Sequence, residues 1–212
     1  MEYLPEFLTV ATVHLLAVAS PGPDFAVVVR ESVGHGRRLG VLTSLGVGTG
    51  ILVHVAYSLL GIGLIVSQSI LAFTLMKYLG AAYLVWLGVR ALRARPADAA
   101  TDSVVARRAA PAAHRAFVTG FLTNGLNPKA TLFFLSLFSV VISADTPLAL
   151  QVAYGGYMAV ATAAWFSLLA VAFGHARVRA GFARLGHWFE RIIGGVLIAL
   201  GVSIAAAGAR RV

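Results

Sequence analysis

The sequence predicts an all-α integral membrane protein with six transmembrane helices, arranged as two inverted three-helix repeats whose opening helices, the first and fourth, are broken by proline. Three observations carry that expectation. Of the 212 residues 59% are hydrophobic and 12% charged, with a mean hydropathy of +0.86, against roughly 45–50% apolar content in a soluble domain. The apolar residues fall into six segments, each near the ~20 residues that cross a hydrocarbon core as a helix. A proline-interrupted motif recurs at Pro23 and Pro128, 105 positions apart, half the chain to within one residue.

The first segment, about Leu4 to Val29, is interrupted by Ser20-Pro21-Gly22-Pro23-Asp24. It follows Met1-Glu2-Tyr3-Leu4-Pro5-Glu6, which carries two acids and no Lys or Arg. That is the wrong charge for a cleaved signal peptide, so the segment is expected to stay. The second, about Leu39 to Val66, contains Gly46-x-x-x-Gly50, a spacing that lets helices approach closely. Packing within one bundle is the default reading there and a dimer seam, hence a homo-oligomer, the second. The third runs from about Ile70 to Ala91.

After it, Ala94 to His114 is rich in Ala, Arg, Asp and Pro without a long apolar run and reads as a cytoplasmic linker. The fourth segment, about Ala116 to Ile142, is interrupted by Asn124-Gly125-Leu126-Asn127-Pro128-Lys129. The fifth covers about Leu148 to Phe173 and the sixth about Trp188 to Ala207. All are expected to be helices, since an open sheet would leave its edges unsatisfied in lipid and ten-residue alternating segments are absent. The chain reads as one membrane domain: repeat one at about 1–93, a linker at about 94–115, and repeat two at about 116–212.

Charge orients the segments. The formal net charge is +9, which in a soluble protein would suggest nucleic acid. Here 13 of the 17 basic residues lie in the odd connections: Arg30, Arg37 and Arg38; Arg90, Arg93, Arg95, Arg107, Arg108 and Arg115; Arg177, Arg179, Arg184 and Arg191. The even connections, Ser67-Gln68-Ser69 and Ser143 to Pro147, hold none. The positive-inside rule then puts the odd loops in the cytoplasm and both termini outside. No folded platform for nucleic acid accompanies these arginines. Arg210 and Arg211 are the exception, and a five-span version would remove it.

Two proline breaks at corresponding positions of two three-span halves describe an inverted repeat, a plan of secondary transporters with the binding site near mid-membrane. The bland reading of each break is a kink, since proline removes one helical hydrogen bond and obstructs another. What favours a site is charge. Asp24 and Lys129 directly follow the breaks, and a charge at the bilayer centre carries a penalty of about 2.5–3.5 kcal/mol or more. The two could compensate each other, or bind a zwitterion with Lys129 taking its carboxylate and Asp24 its ammonium. The carboxyl could instead carry a proton, since desolvation disfavours the charged form. Asp24 as N-cap of a helix over Phe25 to Val33 is the structural alternative.

His54 reads either as a proton relay or a partner for a substrate carboxylate, or as an interhelical hydrogen bond, with the same ambiguity at His14. Lys77 reads as a side chain snorkelling to the interface. The candidate site for substrate and protons is thus Pro21, Gly22, Pro23, Asp24, His54, Lys77, Asn127, Pro128 and Lys129.

Other chemistries find little support. There is no cysteine, so no disulfide, thiolate metal site or thiol nucleophile is available, and no metal or cofactor is expected. The sequence contains no His-Glu-x-x-His, Gly-x-Ser-x-Gly or phosphate loop. Ser20 and His14, six residues apart on one helix, point in different directions. No enzyme is expected and no catalytic residues are assigned.

Several strings occur here in order: Ser20-Pro21-Gly22-Pro23-Asp24-Phe25, Arg30-x-x-x-x-His35-Gly36-x-Arg38-x-Gly40, Lys77-x-x-Gly80-Ala81-x-Tyr83-Leu84-x-x-x-Gly88 and Gly120-Phe121-Leu122-Thr123-Asn124-x-x-Asn127-Pro128-Lys129. Across essentially the whole chain they resemble the LysE/RhtB family of amino-acid exporters, the lysine exporter and homoserine-threonine efflux type. The resemblance implies a bacterial cytoplasmic-membrane protein that exports an amino acid or related metabolite, driven by proton antiport. It also implies that Asp24 and Lys129 stand at motif positions of the transport region and that Lys77 is a family feature. Leu137-Phe138-Ser139-Val140-Val141 departs from the family's usual acidic or glutamine-containing stretch, which bears on substrate choice. The rival reading is a passive channel or scaffold subunit without gradient coupling. An intramembrane enzyme ranks third.

Overall fold

A computed structural model describes residues 3–68, 70–93, 111–143 and 145–209. Among them every regular element is an α-helix, in the order α1 (Leu4–Ala19), α2 (Pro23–His35), α3 (Arg37–Gln68), α4 (Ile70–Leu92), α5 (Ala113–Gly125), α6 (Pro128–Val140), α7 (Leu148–Ala172) and α8 (Ala176–Ala209). Among the described residues a break separates α1 from α2 and another separates α5 from α6, each followed by two longer helices. Most of the linker, and Arg210 and Arg211, lie outside the described residues.

Proline chemistry sets both breaks. Pro21 and Pro23 have no N–H to return to the carbonyls of α1, so that helix stops at Ala19. Pro23 then opens α2, where a missing N–H removes nothing and φ is already helical. The two axes bend by 56°. Pro128 opens α6 in the same way, with Asn127 as N-cap: its side-chain oxygen accepts the Lys129 backbone N–H at 3.0 Å.

Among the described residues two helices are long and apolar enough to cross a bilayer, Arg37–Gly61 within α3 and Leu148–Ala172, each 25 residues, and the bent pair α1–α2, taken as one span, makes a third. At a rise of about 1.5 Å per residue, 25 residues exceed the ~30 Å hydrocarbon core. Tyr78–Leu92 and Pro128–Val140 are shorter apolar helices. This is an all-α, multi-pass membrane protein.

The described helices depart from the sequence expectation at two basic connections. The first is not a loop: Arg30 lies inside α2 and Arg37 opens α3, with only Gly36 between them at φ 92°, a left-handed backbone that glycine adopts without a Cβ penalty. Nor is the fifth, because α8 begins at Ala176 and carries Arg177, Arg179, Arg184 and Arg191 within it. Ala, Arg and Leu are strong helix formers, and charge by itself does not end a helix. Arg179 reaches back to donate to the Phe173 carbonyl at 2.9 Å, beyond the end of α7.

Glycine holds α3 and α5 in backbone contact. A Cβ on Gly46 would lie 2.0 Å from the Phe117 carbonyl oxygen, and one on Gly120 2.0 Å from that of Thr43. The Gly46-x-x-x-Gly50 spacing thus serves packing inside one chain. α4 and α8 touch reciprocally: a Cβ on Gly88 would lie 2.5 Å from the Gly194 oxygen, and one on Gly194 2.6 Å from the Gly88 oxygen. A Cβ on Gly201 would lie 2.8 Å from the Ala81 oxygen, so the two helices run antiparallel. Phe133, Phe134 and Leu137 of α6 are buried with Val10 of α1, Ile51 of α3 and Met158 of α7, which presses the second break against the first.

Candidate functional site

The two breaks meet. Asp24, in the first turn of α2, does not cap that helix: Gly22 is the N-cap and no side chain caps it. Its Oδ2 instead accepts from the side-chain amides of Asn124 and Asn127, each at 3.0 Å. Asn124 is the penultimate residue of α5 and Asn127 follows the break. With two helix termini converging there, side-chain amides stand where a continuous helix would present only its backbone.

Lys129 does not form an ion pair with Asp24 within 4.0 Å among the described residues. Its ammonium donates to the Ser20 carbonyl at 3.0 Å, supplying a donor where the proline break leaves α1 without a helical N–H, as a backbone carbonyl at membrane depth requires. Asp24 and Lys129 remain within electrostatic reach of one another. Gly22 lies beside this bond, where a Cβ would come into ordinary contact with Lys129 Nζ at 3.4 Å. Tyr83 of α4 donates its hydroxyl to the Lys129 carbonyl at 3.2 Å.

His54 of α3 is fully buried and stands one step behind. Its Nε2 lies 2.8 Å from the Asn124 carbonyl oxygen and so donates to it, while Nδ1 faces the Tyr57 hydroxyl at 2.6 Å. The ring stacks on Phe134 with centroids 5.5 Å apart. His54 thus makes an interhelical hydrogen bond to the residue that holds Asp24. His14 likewise meets Thr162 of α7 at 3.0 Å. Lys77 belongs to α4, but its side chain lies outside the described residues.

Two spaces adjoin these residues. Behind Asp24 is a cavity of about 40 Å³, walled by Asp24, Asn124, Phe133, Phe134, Thr162 and Phe166 among others. On the other side of Lys129 a vestibule of about 780 Å³ is bounded by Pro21, Pro128, Tyr83, Trp86, Arg90 and Glu190. Ser20, Gly22, Pro23, Asn127 and Lys129 line both, so the Lys129–Ser20 bond lies in the partition between them. At this corner two buried acceptors, Asp24 Oδ1 and Asn124 Oδ1, have no hydrogen-bond partner among the described residues. Leaving a buried acceptor unmet costs about 1–3 kcal/mol, so this corner is suited to a donor such as an ammonium group or a proton. No group of three or more His, Asp or Glu able to hold a metal gathers among the described residues.

Of the predicted residues, the structure brings together Pro21, Gly22, Pro23, Asp24, Asn127, Pro128 and Lys129, with His54 as a support. The sequence reading missed Asn124 as a partner of Asp24. The signal was Asn124-x-x-Asn127, two amides three apart beside a break. It also took Arg90 as loop charge and passed over Glu190, the one acid of the sixth segment.

Residues 15–208 match the family model described as LysE type translocator. The chain is 32% identical over 198 residues to the threonine efflux protein of Escherichia coli K12, covering 93% of this chain and 96% of that one. To the threonine efflux protein of Salmonella typhi it is 33% identical over 200 residues, with the same coverage. To the homoserine/homoserine lactone efflux protein of Salmonella typhimurium it is 34% identical over 142 residues, 66% of each chain. No solved structure matches.

Proposed function

The chain belongs to the LysE type translocator family, and from that premise we propose that it exports an amino acid, of the small neutral hydroxyl-bearing kind named for its relatives, across a bacterial cytoplasmic membrane by proton antiport. The observation that carries the site is the corner at the two breaks. Asp24 keeps one carboxylate oxygen without a donor beside the equally bare Asn124 oxygen, and Lys129 presents an ammonium to the same cavity. An α-amino acid offers a cation to the first and an anion to the second. When no substrate occupies it, the bare Asp24 oxygen is a seat for a proton, so one carboxyl serves substrate and coupling ion in alternation.

Alternating access follows from two three-span halves, about 1–93 and 116–212, rocking about the breaks with the basic connections in the cytoplasm. The Gly88–Gly194 and Ala81–Gly201 contacts of α4 and α8 support that reading, because a twofold axis that lays Ala81 on Gly194 and Gly88 on Gly201 turns the one contact into the other. The energetics suffice. One proton moving down about 100 mV supplies about 2.3 kcal/mol, and at roughly 1.4 kcal/mol per tenfold that sustains a gradient of about fiftyfold.

The test is L-threonine efflux from cells expressing the wild-type chain, Asp24→Asn or Lys129→Ala. Loss of efflux in both variants, and collapse of wild-type efflux on adding a protonophore, are expected. Wild-type rates in both variants would remove the site. Efflux that persists with the protonophore would leave a passive channel.

A further inference from the structure

The cavity behind Asp24, about 40 Å³, holds a few waters and is far too small for an amino acid. A zwitterion approaching this conformation meets the vestibule first, and its 780 Å³ lies within the roughly 300–1,000 Å³ of ordinary ligand sites.

The vestibule walls carry charges of both signs. On α4, Tyr83, Trp86 and Arg90 fall three and four residues apart and share one face. Tyr83 and Trp86 stack with centroids 5.5 Å apart, and the Arg90 guanidinium lies 5.7 Å from the Trp86 ring centroid. That contact holds a planar fork in position. Across the space, Glu190 comes from α8. Arg90, Glu190 and Lys129 lie close enough for their charges to act on one another. Among the described residues, however, neither Arg90 nor Glu190 is in an ion pair within 4.0 Å. Two opposite charges that line one vestibule without closing on each other leave room for a ligand that carries both.

We propose that Arg90 and Glu190 form a second zwitterion-binding site, which holds the substrate in the vestibule before the Lys129–Ser20 partition opens. Arg90 takes the α-carboxylate in a two-pronged hydrogen bond, Glu190 takes the α-ammonium, and the side chain lies toward the apolar surface of Leu87 and Leu132. A phosphate or lipid headgroup anion would meet Arg90 and Lys129 but be repelled by Glu190, so the wall suits an amino acid. The site rests on the exporter reading and adds to it residues outside the Asp24 corner.

The experiment is concentration-dependent uptake of L-threonine into inverted membrane vesicles carrying the full-length wild type, Arg90→Gln or Glu190→Gln. The expected result is a KM raised about tenfold in each variant with Vmax within about twofold. L-Threonine methyl ester, which lacks the carboxylate, should compete equally well against wild type and Arg90→Gln but more weakly against Glu190→Gln. An unchanged KM in both variants, or a fall in Vmax alone, overturns the proposal.

A second measurement needs neither variant. Titrating purified wild-type protein with L-threonine should give a saturable change in tryptophan fluorescence that is reduced in Trp86→Phe. A change of the same amplitude and midpoint in wild type and Trp86→Phe overturns the site. Wild-type vesicles that carry no amino acid would bring down the exporter reading and this site together. Wild-type transport of threonine with unaltered KM in both variants would bring down this site alone.

Discussion

The ammonium of Lys129 donates to the backbone carbonyl of Ser20 at 3.0 Å, joining residues 109 positions apart. A lysine that follows one broken helix thereby satisfies the carbonyl stranded by the other. The bond lies in the wall common to both cavities. Lys129→Ala should lower efflux by at least tenfold and, by removing a charge-assisted hydrogen bond worth about 1.5–3 kcal/mol, lower thermal stability in detergent. Lys129→Arg keeps the charge but replaces a compact ammonium with a wider, planar head that does not reproduce its point-charge geometry. It should insert normally and still lose transport. Equal efflux by wild type and Lys129→Arg would show that charge alone suffices.

Asn127 has two separable tasks: its oxygen caps α6 and its amide nitrogen holds Asp24. Asn127→Asp keeps the cap and replaces the donor with a second carboxylate, so thermal stability should fall less than in Asn127→Ala, where losing the cap costs about 1 kcal/mol. Transport should fall more in Asn127→Asp, because two carboxylates then share one corner. Thermal melts and efflux rates on the same two variants check both halves of this expectation.

The α3–α5 contact leaves no room for a side chain. Gly46→Ala would set a Cβ 2.0 Å from the Phe117 carbonyl oxygen, within the range where overpacking costs typically 1–3 kcal/mol or more. Gly61→Ala on the same helix meets nothing within 4 Å and should be neutral or stabilising by up to about 1 kcal/mol, the helical penalty of glycine. Melting temperatures in detergent should separate the two clearly.

At the N-terminal end of α1, away from the break, Glu6 accepts from the Thr146 hydroxyl at 2.9 Å and from the Ser143 backbone N–H at 2.9 Å. This ties α1 to the connection between α6 and α7. Glu6→Ala should loosen that end and admit water along α1. The chain has no cysteine, so a single Val13→Cys reports directly on it. Val13 is 4% exposed, and its labelling by a membrane-impermeant thiol reagent should rise severalfold in the Glu6→Ala background. Unchanged labelling would mean that this contact does not keep water from α1.

How much of this was legible beforehand depends on the range of the forces. That the chain is membrane-embedded and helical follows from hydropathy alone, and the two breaks follow from Pro21, Pro23 and Pro128, because a missing N–H acts on the residue that carries it. The glycine spacing on α3 announced a close approach without naming the partner, since any helix of small cross-section fits. The two basic connections were misread as loops because charge says where a segment lies relative to lipid, not whether its backbone is helical.

The sequence by itself therefore determined the environment, the helices and the points where they break, all consequences of local composition and of proline covalent geometry. Only the tertiary structure decided that Asp24 is held by Asn124 and Asn127 rather than by Lys129, that Lys129 turns to Ser20, and that Arg90 faces Glu190 across a vestibule. Hydrogen-bond partners are settled by differences of an ångström between atoms roughly a hundred residues apart in the chain. That separation is closed by the packing of α3, α5 and α6 around the two breaks, and no local property of the residues reports it.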